Sequence, residues 1–434
     1  MMTTNRPRVC AHGILMLFAA SLAFLLAACG GDTSTTSGGR VRLTVVTMQL
    51  RPTFDAYFEE VFEQFRQEHP DVEIRWLDYP FDGYETKLMT GFIGNDPPDV
   101  INIPSESLPV YARNGSLLAL NDVVPADVLE GYVGSLLADG CTVDGKVYAL
   151  PWYLSTFITF ANKALLEQAG LPTDRAPEFV DDMPEFAARV KAATGHFAFF
   201  PLYTELGRLR MYLMEAGVEL TTEDGSRAVF NTPRGVEVLE FWTRLYRDGH
   251  VPSEALTATH RRPVELFKAG RLAVMDSGPE FLRQIKADAP EVYANTVLGP
   301  RMRWRDADEL HIVQMHTMAV AARSRHPELA AALAAHLTSA QAQLELSRLA
   351  PVVPSQQAAL ADPWFTEPDE TLEAQARSIA ARQAARGICY VPPPDPRRFY
   401  EALDNAMEQV ATGTIDAATA LQRAEDTWNE LLAK

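Results

Sequence analysis

Residues 41–77 constrain the fold more than any other stretch. Two β-rich runs, Val41 to Thr47 and Val72 to Leu77, flank one amphipathic helix. Phe54, Tyr57, Phe58, Val61, Phe62 and Phe65 recur at i, i+3, i+4, i+7, i+8 and i+11, which places them on one helix face. Thr53 is the expected N-cap, and His69-Pro70 ends the helix. Strand, helix, strand at this spacing is a βαβ unit, the crossover that two parallel strands require. A parallel sheet is covered by helices, so the chain must build a layered α/β fold whose aromatic stripe is core.

A second informative stretch is Asp144 to Gly170. Val147 to Leu150 reads as a short buried strand, and Pro151 is expected to stop it because proline has no N–H for the ladder. Trp152 and Tyr153 follow at the break, then a second β-rich run, Phe157 to Phe160. Asn162 reads as the N-cap of a helix that Gly170 closes. A strand that ends, two large aromatics and a new strand suggest a chain crossing from one lobe to another beside a cleft.

The N-terminus carries Arg6 and Arg8, then a continuous small and apolar run from Gly13 to Ala28. That is the pattern of a secretory signal. Asp32 to Gly39 reads as a flexible tether. With 39 basic and 57 acidic residues the formal charge is −18. This balance argues against a nucleic-acid partner, which needs a basic footprint. Of four cysteines, Cys141 and Cys389 lie in the expected folded part, and in an oxidising compartment they are a possible disulfide.

Further along, Asp99 to Ile103 is a buried strand with Ser105-Glu106 at its end, and open α/β sheets bind ligands at such ends. Glu178 to Ala193 reads as a helix. Asn231-Thr232-Pro233 starts another in the preferred way. Leu272 to Asp276 and Val313 to Ala321 are strands. No motif carries catalysis or a metal. Gly140 to Lys146 has the first seven positions of a phosphate loop, but Val147 stands where a hydroxyl should meet Mg²⁺. His311 and His316 are five apart, on opposite faces of a strand, and do not share a metal. No cofactor and no enzymatic activity are expected.

Leu26-Ala-Ala-Cys29 resembles a lipobox, and the order of later segments resembles one family throughout. HPDVEI (69–74), PPDVIN (97–102), ARNGSLLAL (112–120), DGKVYALP, ANKALLEQAGL, FKAGRLAVMDSGP (267–279) and LTSAQAQ (337–343) occur in sequence. The chain is similar to extracellular solute-binding proteins of ABC importers, of the sugar-binding class that includes maltose-binding protein. The resemblance implies a periplasmic-binding-protein type II-like fold, two α/β lobes with a hinge and an interlobe cleft. It also implies a monomer lipidated at Cys29 on the outer face of the cytoplasmic membrane, or on its periplasmic side. The partners would be a carbohydrate ligand and a permease driven by a cytoplasmic ATPase. Expected boundaries are 1–28 signal, 29–40 tether, 41–148 with 312–350 as lobe one, and 153–300 with 355–434 as lobe two. Crossings are expected at 149–152, 301–311 and 351–354.

Sugars offer hydroxyl edges and apolar C–H faces, so carboxylates, amides and aromatic rings should bind them. Alignment of the family motifs implies Glu106, Ser155, Glu205, Glu280 and Tyr400 as ligand contacts, Glu280 standing where the family has a stacking tryptophan. Trp152, Tyr153, Tyr203 or Trp304 would then supply the stacking face, core packing being the competing role. Ser277 and Gly278 lie at a strand end, and Gln49 follows the first strand. Polyamine, peptide or glycerophosphodiester ligands are alternatives, as is a secreted glycosidase. Arg208, Arg210, Arg301 and Arg303 are available to a phosphate.

Overall fold

The computed structural model describes residues 40–80, 82–93, 97–205, 207–367, 370–390 and 396–433. The expected signal segment and Cys29 lie outside them. The first three strands, β1 (Val41–Met48), β2 (Val72–Tyr79) and β3 (Val100–Pro104), are joined by helices. β1 pairs parallel with β2 from Val41 opposite Val72, and with β3 from Val45 opposite Val100, as the βαβ reading requires. The connecting helix Asp55–Glu68 buries Tyr57, Phe58, Val61, Phe62 and Phe65. Thr53 does not cap it: Phe54 occupies the cap position without a side-chain bond, and the Phe54 N–H meets Leu50 O at 3.0 Å. The caps at Asn162 and Thr232 do form, each side chain accepting backbone N–H groups of its helix. The helix expected from Glu178 starts later, at Met183, after a 3₁₀ turn.

A small hairpin, β4 (Thr142–Val143) with β5 (Lys146–Val147), precedes β6 (Ala149–Ser155) and β7 (Ile158–Asn162). Pro151 does not stop its strand. β6 runs through it, and the pairing with β10 (His311–Val320) shifts there: His316 faces Tyr153 and Thr317 faces Pro151. Trp152 is the extra residue of this bulge. Proline is tolerated at a bulge because no ladder N–H is needed there. The freed Pro151 carbonyl accepts from Ser355 Oγ at 2.9 Å.

The large sheet has the order β11-β6-β10-β3-β1-β2, with β11 at Val353–Pro354 and β12 (Gly387–Cys389) beside β10. The second sheet is antiparallel, β8 (Val274–Ser277), β7 and β9 (Thr296–Pro300). The chain leaves the large sheet after Ser155 rather than at 149–152, since the bulge lets β6 continue. Residues 387–389, expected in lobe two, return to the large sheet and pair parallel with β10.

One buried amide ties two of these crossings together. Gln383 Nε2 donates to Thr156 Oγ1 (3.0 Å) and to Phe157 O (2.8 Å), and its Oε1 accepts the Arg301 N–H (2.7 Å). Gln383 is 2% exposed, so these groups have no water to replace it. Gln383→Leu is therefore expected to cost about 1–3 kcal/mol, read as a lower urea midpoint. A change within 0.5 kcal/mol would mean that the amide does not hold the crossings.

Cys141 and Cys389 are both buried as free thiols, so the disulfide is not made. Burial pushes both thiols up, Cys389 to about 12. A thiol held neutral is a poor nucleophile.

Candidate functional site

The two sheets face each other across a cleft of three adjoining chambers. The largest, about 550 Å³, lies against the large sheet. A second of about 320 Å³ lies against the small sheet, and one of about 100 Å³ sits between. Gln314, on β10, lines all three. It is the exposed polar residue in the run His311–Val320, a strand otherwise mostly buried, and that is the signal by which sequence reading would have found it.

Glu106 reaches the cleft because β3 ends at Pro104 and a 3₁₀ turn, Ser105–Ser107, carries the chain across the strand end. It lines the large and the middle chamber. The surrounding walls desolvate its carboxyl and raise its pKa, against the pull of Arg210. Ser155, at the end of β6, and Gly278, just past β8, line the middle chamber. Ser277 and Glu205 line the second. Glu280 borders both and is raised chiefly by desolvation. Its carboxylate folds over Gly278, where a Cβ would lie 2.1 Å from Oε2. These six expected contacts thus come together from two sheets and several turns.

The aromatic expectations fail as a group. Trp152 is fully buried, its ring 6.1 Å from that of Phe58 in the core on the helix-covered face of the large sheet. The bulge turns it inward. Tyr203 is also fully buried and donates its hydroxyl to Trp242 O at 2.6 Å. Trp304, 3% exposed, packs on Phe241 beneath the Arg234 guanidinium. Tyr153 lies behind the cleft wall, stacked on His316, which lines the large chamber. Tyr400 has the Arg210 guanidinium 4.5 Å over its ring, so that face is not open to a ligand. Gln49 is exposed outside the chambers, while its neighbour Met48 lines the largest. The rings that line the cleft include Tyr84 and Tyr111 in lobe one and Phe157, Phe200, Trp242 and Phe281 in lobe two. Tyr84 starts the helix Tyr84–Ile93, and a side chain at a chamber wall follows the same helical spacing as one in the core.

Charge is concentrated on the lobe-two wall. Arg301 pairs with Glu215 at 2.9 Å and stands 4.0 Å from Asp276, all three side chains largely buried. Asp276 also accepts from Thr159 Oγ1 at 2.8 Å. Glu205 accepts from His260 (2.9 Å) and lies 3.5 Å from Arg208. Arg303 is elsewhere, paired with Glu178 at 2.8 Å. Burial pushes Glu215 up to about 7 although Arg301 opposes it, and burial raises Asp276 in the same way. Asp404, behind Arg208 and Arg210, is pushed by burial to about 6.

These shifts fix the sign of a pH effect. A carboxyl whose folded pKa is raised keeps its proton where the unfolded chain has lost it, so stability falls as pH rises. For Glu215 the fall should run from about 4.5 to about 7. Urea midpoints of the ligand-free protein are expected to be lower at pH 8 than at pH 5, and Glu215→Gln should flatten the slope. A profile rising across that window would contradict the buried network.

The model of the bacterial extracellular solute-binding protein family matches residues 60–374. The chain belongs to this family. Among its relatives, a candidate binding protein of Brucella abortus (strain 2308) is 27% identical over 264 residues, covering 60% of this chain. That match spans only 62% of the Brucella protein's length. The galactooligosaccharide-binding protein of Bacillus subtilis (strain 168) is 23% identical over 425 residues, 95% of each chain. Among solved structures, a candidate oligosaccharide periplasmic-binding protein from Synechococcus sp. MITs9220 superposes with a TM-score of 0.82 at 30% identity. That similarity covers 90% of this chain and 99% of the other. The family is one of binding proteins, and the type II-like architecture implied by the sequence motifs is the one found. No helix among the described residues is long and apolar enough to cross a membrane.

Proposed function

We propose that this solute-binding protein captures a sugar or oligosaccharide outside the cytoplasmic membrane and delivers it to an ABC permease. The observation that carries the reading is a cleft whose walls come from both sheets and whose polar groups, Glu106 and Gln314 on one side and Ser277 and Glu280 on the other, meet around one space. Carboxylate and amide oxygens accept sugar hydroxyls, and Phe157 offers apolar contact. Relatives named for oligosaccharides support the same ligand class. A ligand bonded to both walls favours the closed state by its differential affinity, and closure about the crossings at Thr156–Phe157 and after Pro300 is the mechanism. Cys29 would carry the lipid that holds the monomer at the membrane, with no chemistry done on the ligand.

A thermal-shift screen of residues 40–434 against mono- and oligosaccharides, polyols and polyamines tests this. A ligand at a hundredfold excess over Kd adds about 2.7 kcal/mol of stability, and Glu106→Ala should weaken a saccharide hit by roughly tenfold, the value of a charge-assisted hydrogen bond. A polyamine as the sole hit would keep the receptor and discard the sugar. Disappearance of a glycoside on incubation would refute the non-enzymatic reading.

A further inference from the structure

The lobe-two chamber is lined by a guanidinium that keeps an unmet donor among the described residues. Arg208 lines the 320 Å³ chamber with its side chain 12% exposed. Among the described residues its hydrogen-bond partner is the Met211 sulfur, 3.2 Å from Nη1, and its ionic contact is Glu205 at 3.5 Å. Its Nε is buried with no acceptor among the described residues. A guanidinium has five N–H donors in a rigid fork, and leaving buried donors unmet is costly. The neighbouring cations increase that cost. Arg301 and Arg210 both act on Arg208 by like-charge repulsion. The Arg208 and Arg301 guanidinium carbons lie 5.8 and 5.5 Å from the Phe157 ring centroid, so both cations border the same ring.

Four carboxyls share the chamber; three of them have a donor or ion-pair partner, while Glu205 Oε2 and Glu215 Oε1 make no hydrogen bond among the described residues. Glu215 is paired with Arg301, Asp276 accepts from Thr159, and Glu205 takes the His260 side chain and backbone N–H. Glu280 is turned against Gly278. Arg208 keeps unmet donors, and Phe200, Trp242 and Phe281 wall the chamber against bulk water. In such surroundings a bidentate anion gains more from an Arg fork than a sugar hydroxyl does, because only the anion offsets the charge as well as filling the donors.

We propose that the chamber around Arg208 binds an acidic substituent of the ligand, a carboxylate or a phosphate ester on a saccharide. This rests on the saccharide reading of the cleft and narrows it to acidic sugars. The middle chamber, with Glu106 and Gln314, then holds the hydroxyl edges, and the large chamber takes the rest of the ligand.

The test is calorimetric titration and thermal shift of residues 40–434, at 0.15 M salt, with glucose, glucuronate, glucose 6-phosphate, galactobiose and digalacturonate. The acidic member of a pair should bind roughly tenfold or more tightly than its neutral counterpart, and which acid wins separates carboxylate from phosphate. Arg208→Met should erase that ratio, and Arg208→Lys, which keeps the charge but loses the fork, should reduce it without erasing it. Should Arg208→Met fail to fold, the lysine variant alone decides between fork recognition and none. Equal or tighter binding of the neutral sugars, or hits confined to neutral oligosaccharides, would overturn this inference and leave the sugar-binding function standing. If no saccharide, neutral or acidic, binds, the proposed function falls and this inference with it.

Discussion

Replacing Trp152 by alanine is expected to destabilise the fold by about 3–5 kcal/mol, the cost of emptying a large aromatic site in a packed core. The indole is fully buried, edge-on to Phe58 and Tyr153, in the core that includes the helix Asp55–Glu68. Equilibrium urea unfolding of the ligand-free protein checks it. Had Trp152 been a stacking platform in the cleft, the same substitution would remove ligand affinity and leave the midpoint nearly unchanged. The two roles therefore predict opposite pairs of results. A loss of stability below about 1 kcal/mol would place the side chain outside a packed core.

Arg301→Ala should be of similar size, about 3–5 kcal/mol near neutral pH, because removing one partner leaves buried charge uncompensated. Arg301 is 11% exposed and Glu215 is 10% exposed, and Asp276 stands close by. Without the guanidinium, Glu215 must either carry an unpaired buried charge or take a proton. The loss should therefore shrink as pH falls toward 5, where protonation relieves Glu215. Urea midpoints of wild type and variant at pH 5 and pH 8 measure this directly. A deficit that stayed constant between them would show that Arg301 acts through packing alone.

Much of the fold was legible in the residues. The aromatic stripe from Tyr57 to Phe65 and the two flanking apolar runs specified a parallel βαβ unit, since a 3.6-residue period beside two buried strands has few other solutions. Asn162 and Thr232 declared their helices because capping is chemistry within four residues of sequence. Two polar residues that line the chambers were legible for a related reason. Glu106 and Ser277 sit where strands end, and strand ends are marked by local composition.

What the tertiary structure alone decided concerns which way a side chain faces and which distant segments meet. Period-2 alternation determines strand faces until one extra residue is inserted. At Pro151 a bulge absorbs that residue, turns Trp152 into the core and carries β6 on to Ser155. Gly387–Cys389 joins the large sheet by pairing with β10, a partner about 75 residues earlier in the chain, and no local pattern encodes such a pairing. The network of Arg208, Arg301, Glu215 and Asp276 follows the same logic. Its members come from three separate stretches, and their electrostatics arise only when folding removes water from between them. The sequence by itself determined the layers and the strand ends that bear the site. Tertiary packing decided which aromatics are core, which charges are paired, and that Arg208 keeps a buried donor unmet among the described residues.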